Sequence, residues 1–366
     1  MKSPINNLEL ARFPTNHDSS LRAWDAADEL VLTWLNDHFA EHAPALIIND
    51  SFGAISLGCH GTTSVSDSKL SIIATELNAK KNNLPGPKLI DAVSPLVAAT
   101  GPVVVKIPKS MDLLAYQLRL LRAILTEGQI VVGTAMVKHL PQRAIELFEQ
   151  IIGPTTRSLA KKKARLVFSH FDSSLEVPPL PNNQFSYEGR EYRSHANVFS
   201  SKSIDIGTRF LLQHLPPLPE RAQIADLGCG NGIIGIECAL RSPSSEIHFF
   251  DESSMAIDSA RSNWSRLIGE PNAANFNWVD TLGESMANRF DLVINNPPFH
   301  QGQVIGDFLA WNMFTASLRC LKVRGQLVIV GNRHLNYHGK LKKLFGHCET
   351  IASNAKFVVL RATKLR

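Results

Sequence analysis

Residues 224–240 constrain the fold more than any other stretch. Ile224-Ala225-Asp226-Leu227 is apolar apart from one acid, and Gly228-Cys229-Gly230-Asn231-Gly232 follows directly. A second apolar run, Ile233 to Leu240, then reads as a helix. Strand, glycine-rich turn and helix open an α/β nucleotide-binding unit. Glycines let the backbone pass close beneath a ligand and adopt conformations other residues avoid. A bare G-x-G fits any such unit. Here the next strand, Glu246-Ile247-His248-Phe249-Phe250, ends in Asp251-Glu252. An acid at that strand end is the usual partner of a ribose diol.

A third strand, Phe290-Asp291-Leu292-Val293-Ile294, runs into Asn295-Asn296-Pro297-Pro298-Phe299-His300. Asn296 offers an amide oxygen. Pro297 lacks an N–H but keeps its carbonyl, and it holds the preceding residue extended. Phe299 offers an aromatic face. Two acceptors and a flat ring suit a planar exocyclic amine, which is a poor nucleophile because its lone pair is spread into its ring. Holding the two hydrogens aims that lone pair at an electrophile. The alternative is a plain turn, since Pro-Pro commonly ends a strand.

The string Asp226-Leu-Gly-Cys-Gly-Asn-Gly232 with Asn296-Pro-Pro-Phe299 resembles the S-adenosyl-L-methionine (SAM)-dependent amino-methyltransferases. The longer Asn295-Asn-Pro-Pro-Phe-His-Gln301, with Asn197-Val-Phe-Ser200 and Asp205-Ile-Gly207, resembles the ribosomal RNA guanine-N2 methyltransferases of the RsmC/RlmG family. Gly331-Asn-Arg-His-Leu335 and Asn354-Ala-Lys-Phe-Val-Val-Leu360 look most like the large-subunit (23S) type. The resemblance implies SAM as cofactor and ribosomal RNA as partner. It implies Asn296, Pro297 and Phe299 as the amine clamp. Asp226, Gly228, Gly230, Gly232, Asp251 and Asn296 become cofactor candidates. By the same resemblance Asp205 and Gly207 lie over the methionine end and Asp280 lies near the adenine. Asp205 also reads as a helix N-cap, and Asp280 as a turn residue.

The chain of 366 residues is long enough for two domains. Its net charge of +5 is compatible with a phosphate-bearing partner. Five cysteines, Cys59, Cys229, Cys238, Cys320 and Cys348, show no paired or metal-binding spacing and read as reduced thiols. No stretch approaches the roughly 18 apolar residues of a membrane span. The expectation is a cytoplasmic protein with no metal and no membrane contact; the sequence is silent on oligomeric state.

The first half shows the same rhythm of elements. Helices are expected over 18–39, 69–78 and 112–125, strands over 45–48, 103–107 and 128–132, and a weak strand over 57–65. Gly128-Gln-Ile-Val-Val132 echoes Gly325-Gln-Leu-Val-Ile329, and His139-Leu140 echoes His334-Leu335. The echo reads as a duplication of one α/β domain. In the first copy Asn49-Asp-Ser-Phe-Gly53 stands for Asp226-Leu-Gly-Cys-Gly230, and Lys106-Ile-Pro-Lys109 for Asn296-Pro-Pro-Phe299. Neither cofactor turn nor clamp survives there.

The expected fold is therefore α/β: two tandem Rossmann-like methyltransferase domains with doubly wound, mostly parallel sheets, the N-terminal copy degenerate. Residues 1–182 form the degenerate copy, RNA-binding or structural, and 183–366 the catalytic domain. Residues 153–181 are read as the joining segment, with a basic run, Lys161-Lys-Lys-Ala-Arg165, that is either a solvated face or a phosphate contact. Residues 184–193 suggest a hairpin around Glu188-Gly189. A helix over 306–321 follows the clamp, and 357–360 are expected as an antiparallel edge strand. The expected reaction is methylation of guanine N2 in 23S rRNA. Rival readings are 16S rRNA, a protein glutamine-N5 substrate, and a non-catalytic RNA-binding protein. The glutamine enzymes usually carry Tyr where this chain has Phe299.

Overall fold

The computed structural model describes residues 4–15, 21–39, 45–59, 62–98, 100–180, 182–269, 274–298 and 303–366. Two compact units divide the chain, Met1–Pro181 and Asn182–Arg366.

The first unit runs α1 (Ala26–His38), β1 (Leu46–Ile48), α2 (Ala54–Gly58), β2 (Thr63–Ser66), α3 (Lys69–Lys81), β3 (Lys88–Asp91), β4 (Val103–Lys106), α4 (Met111–Arg122), β5 (Ile130–Met136), α5 (Gln142–Ile151), β6 (Thr155–Arg157) and β7 (Ala164–His170). The sheet order is β3-β2-β1-β4-β5-β7-β6. The first five strands are parallel and β7 is antiparallel to both neighbours. Alternation along β4 builds the two faces. Val103 and Val105 pack with Leu114, Leu118 and Phe148 from α4 and α5. Val104 faces the other way, with Val31, Leu32 and Leu35 of α1. Each such buried aliphatic side chain contributes roughly 1.5–3 kcal/mol.

The second unit opens with a hairpin, β8 (Gln184–Tyr187) and β9 (Arg190–Arg193). Glu188 and Gly189 both have positive φ, as a two-residue hairpin turn of mirror-image type needs. Then follow α6 (Ile206–Gln213), β10 (Gln223–Leu227), α7 (Ile233–Arg241), β11 (Glu246–Asp251), α8 (Ser254–Leu267), β12 (Ala274–Trp278), β13 (Phe290–Asn295), α9 (Gln303–Cys320), β14 (Leu321–Asn332), α10 (Tyr337–Phe345), β15 (Glu349–Ser353) and β16 (Phe357–Thr363). The sheet order, β12-β11-β10-β13-β14-β16-β15, repeats that of the first unit strand for strand. The fold is thus two tandem Rossmann-like domains, as the repeat predicts.

Several local expectations need correcting. Helix α1 starts at Ala26, because Asp25 caps it in a reciprocal capping box with Asp28; part of the expected start at 18–25 lies outside the described residues. The weak strand over 57–65 is instead the end of α2 followed by β2; a five-residue helix is too short to show a period. Residues 153–181 are not a connector, since they carry β6 and β7 and complete the first sheet. The basic run is the turn entering β7, with Lys162 and Lys163 in the left-handed region. Strand β16 is antiparallel but internal, and β15 is the edge.

Pairing registers also shift the alignment of the copies. Ile48 and Leu227 hold matching positions against their neighbours. Asn49–Gly53 therefore corresponds to Gly228–Gly232, two residues on from the sequence echo. Backbone angles agree: φ is 68° at Asn49 and 71° at Gly228, and 80° at Gly53 and 82° at Gly232. Lys106 corresponds to Asn296, as the sequence suggests.

Candidate active site

The glycine turn is built by hydrogen bonds from the neighbouring strand. Gly228 and Cys229 N–H both donate to the Phe250 carbonyl, at 2.8 and 3.1 Å. Gly230 N–H donates to Asp251 Oδ2 at 2.9 Å, and Ser253 N–H to Asp251 Oδ1 at 2.9 Å. Asp251 thus fixes the turn with both of its oxygens. Gly228, Gly230 and Gly232 have φ of 71°, 54° and 82°, where a side chain is strained.

Asp226 lies one layer below. It is fully buried, and its Oδ2 accepts from Gly235 N–H, in the first turn of α7, at 2.8 Å. Burial pushes its pKa up to about 7; the Gly235 bond pulls it down and the charge of Asp251 adds to the rise. Burial likewise raises the Cys229 thiol well above its usual range, so it is no nucleophile at neutral pH.

The expected clamp residues Asn296 and Pro297 follow directly on the end of β13, next to β10. Asn295 is a tie between strands: it is buried, and its Nδ2 donates to the Leu227 carbonyl at 2.6 Å. Asn296 turns the other way. Its Nδ2 donates to Thr208 Oγ1 at 2.8 Å and to Asp205 Oδ2 at 3.4 Å. Asp205 is the N-cap of α6, accepting from Thr208 N–H at 2.9 Å. The carboxylate, an acceptor only, favours nitrogen on that side, and the hydroxyl can serve either end. Asn296 Oδ1 is left buried with no hydrogen-bond partner among the described residues. A buried acceptor in that state costs about 1–3 kcal/mol unless a donor arrives.

These groups share one cleft of about 450 Å³, within the usual range for a small-molecule site. Of the residues singled out in the sequence, Asp205, Gly228, Gly230, Asp251, Asp280, Asn296 and Pro297 line it. Gly207, Asp226 and Gly232 do not. Gly207 packs beneath Phe357, where an added Cβ would come within 3.2 Å of the ring, and Gly232 starts α7 in a left-handed conformation. Phe299 and His300 lie outside the described residues. The Asn197–Ser200 string also lines the cleft, and sequence reading assigned no role to Thr208, Phe185 or Met313, which line it too. Thr208 carries a signal, three residues after an N-cap acid; Phe185 and Met313 carry none, since each reads as an ordinary strand or helix residue.

A doubly wound sheet with a glycine turn, a strand-end acid and an Asn-Pro-Pro strand end around one cleft defines a SAM-dependent methyltransferase. Residues 1–173 match the RLMG N-terminal domain family and residues 189–361 the Methyltransferase small domain family. The "Ribosomal RNA large subunit methyltransferase G" of Stutzerimonas stutzeri is 45% identical over 100% of this chain and 99% of its own. The protein of the same name from Pseudomonas fluorescens is 44% identical over 100% of this chain and 99% of its own. The chain belongs to this ribosomal RNA large subunit methyltransferase G family. A solved structure of the Thermus thermophilus 16S rRNA N2 G1207 methyltransferase (RsmC), in complex with AdoMet and guanosine, shares the fold. It has a TM-score of 0.76 at 21% identity, covering 98% of this chain and 95% of that one. Among the described residues no helix is long and apolar enough to cross a membrane, and no acid, histidine and cysteine cluster could hold a metal.

Proposed function

We propose that this protein transfers the methyl group of SAM to the exocyclic N2 amine of one guanine in 23S ribosomal RNA. The observation that carries this reading is Asn296: the residue lines the cleft, its amide nitrogen is held by Thr208 and Asp205, and its oxygen is a buried acceptor with no partner among the described residues. The group that satisfies such an acceptor is an N–H, and the purine amine has two.

The residues present fit the cofactor. The left-handed Gly228 and Gly230 allow close approach of a ligand to the backbone. Asp251 is placed to accept from ribose hydroxyls, and Asp280, exposed at the end of the cleft, from the adenine amine. Bound there, SAM supplies an electrophilic methyl group. The chain supplies alignment. Asn296 Oδ1 and the Pro297 carbonyl hold the two amine hydrogens, and Phe299 stacks on the purine. The same acceptors stabilise positive charge developing on the nitrogen. Its proton leaves after transfer, so no dedicated base is required. Reaching the amine needs an unstacked base, in a loop or flipped out. Residues 183–366 form the catalytic domain and 1–182 an RNA-binding or structural one, in a cytoplasmic protein. Asp226, Gly207 and Gly232 support the cofactor site from behind.

The test is Asn296→Ala with 23S rRNA from cells lacking the protein. Labelled-methyl transfer should fall about 100-fold or more, while SAM affinity by calorimetry stays within about threefold. Mass mapping should find N2-methylguanosine in the wild-type product. Normal transfer by the variant would remove the clamp; a different modified nucleoside would remove the substrate.

A further inference from the structure

Both units carry the same small structure where the fifth strand ends. In the second unit, β14 ends at Asn332 (φ −66°, ψ 138°), and Arg333–Leu335 form a 3-10 turn. Arg333 N–H donates to the Lys356 carbonyl, in the turn between β15 and β16, at 3.0 Å. In the first unit, β5 ends at Met136 (φ −66°, ψ 139°), and Val137–His139 form the 3-10 turn. Val137 N–H donates to the Lys163 carbonyl, in the turn between β6 and β7, at 2.8 Å. The strand partners agree as well: Met136 faces Ala164 and Asn332 faces Phe357.

This lip is cationic twice over. Arg333 and Lys356 are exposed on one, and Lys138, Lys161 and Lys163 on the other. Lys162 is excluded because it pairs with Glu29 at 2.9 Å. Among the described residues no carboxylate pairs with Lys138, Lys161, Lys163, Arg333 or Lys356. The second lip also reaches the clamp. Phe357, next to Lys356, packs against Gly207, and the adjacent Thr208 holds Asn296. The first unit has neither the glycine turn nor the Asn-Pro-Pro sequence, yet it keeps the lip's geometry and carries more charge on it. What the two copies share at this edge is therefore independent of the cofactor.

We propose that this lip is an RNA-phosphate contact in both units. In the catalytic unit, Arg333 and Lys356 hold the backbone beside the target guanine. In the first unit, Lys138, Lys161 and Lys163 hold backbone without reading sequence. The inference rests on the reading that the substrate is RNA. Cations that neutralise phosphates release counterions, so removing one such cation reduces the salt dependence of binding.

The experiment uses the full chain and deproteinised 23S rRNA, with filter binding measured across potassium chloride concentrations. One variant combines Lys138→Gln, Lys161→Gln and Lys163→Gln; a second combines Arg333→Gln and Lys356→Gln. A control combines Lys80→Gln and Lys88→Gln, exposed on α3 and β3. Each lip variant should weaken binding about tenfold and flatten the log–log salt slope by about 0.7–0.9 per phosphate no longer neutralised. The control should match wild type, and SAM affinity should be unchanged in all three. The Arg333/Lys356 variant should raise KM for RNA more than it lowers kcat. If wild type binds and methylates the RNA while the lip variants keep its slope and affinity, the lip does not touch the RNA. If wild type neither binds nor methylates it, the RNA reading itself falls, and the lip with it.

Discussion

Thr208 Oγ1 accepts from Asn296 Nδ2 at 2.8 Å, and this bond, beside the acceptor-only carboxylate of Asp205 at 3.4 Å, holds the Asn296 amide in place. Thr208 is buried on the first turn of α6, so its hydroxyl is held by the fold rather than by solvent. Thr208→Val keeps the shape and removes the acceptor. Asp205, at 3.4 Å, remains as a weak substitute. We expect kcat to fall about tenfold, the equivalent of one hydrogen bond of about 1.4 kcal/mol, with SAM affinity unchanged. Thr208→Ser should restore the rate. A purely structural role would lower the melting temperature without this split and without the rescue.

In the first unit the equivalent pair is Lys106 and Asp28. Lys106 Nζ bonds both Asp28 oxygens, at 2.6 and 2.8 Å, and the Asp28 side chain is fully buried. Burial raises the Asp28 pKa to about 6, against the pull of Lys106. Lys106→Met leaves that carboxyl without its cation and should cost about 3–5 kcal/mol. Lys106→Met with Asp28→Asn keeps the capping geometry, removes the charge and should recover most of the loss. Urea denaturation of the three proteins checks this. A double variant as unstable as the single one would show that the pair is not coupled.

Asp226 predicts a pH dependence. Its folded pKa of about 7 lies above the ordinary value of 3.8. Its contribution to stability is therefore fully present below about pH 4 and lost as pH rises through about 7. Relative to Asp226→Asn, the wild type should lose on the order of a few kcal/mol between pH 4.5 and pH 8. Denaturation of both proteins across that range measures the difference. A gap that stays constant with pH would mean that the carboxyl does not titrate there.

The cleft of the second unit was legible because it is built from unusual residues in short runs. Left-handed turns need glycine, and Asn296-Pro297-Pro298 ends a strand abruptly. The acid Asp251 closes a strand of apolar neighbours. Other features lacked such signatures. Helix α2 has five residues, and β7 begins in a lysine run that reads as solvent-facing. Phe185 and Met313 reach the cleft only through tertiary packing. The roles of Asp226 and Asp251 also differ by depth: both sit near strand ends, but one is sealed beneath the turn and the other opens onto the cleft. Residue type and spacing do not encode that depth. The sequence echo between the copies was offset by two residues at the first turn because Asn49 occupies a left-handed position that glycine occupies in the second unit.

The Lys106–Asp28 pair has an evolutionary consequence. Replacing Lys106 with Asn, the residue at the equivalent position of the second unit, would leave the fully buried Asp28 carboxylate without its cation. Changing Asp28 first leaves only a half-buried lysine that can turn to water, so the order of the two changes matters. The pair thus works as a one-way latch: the lysine is tied to the first unit for as long as the buried acid remains.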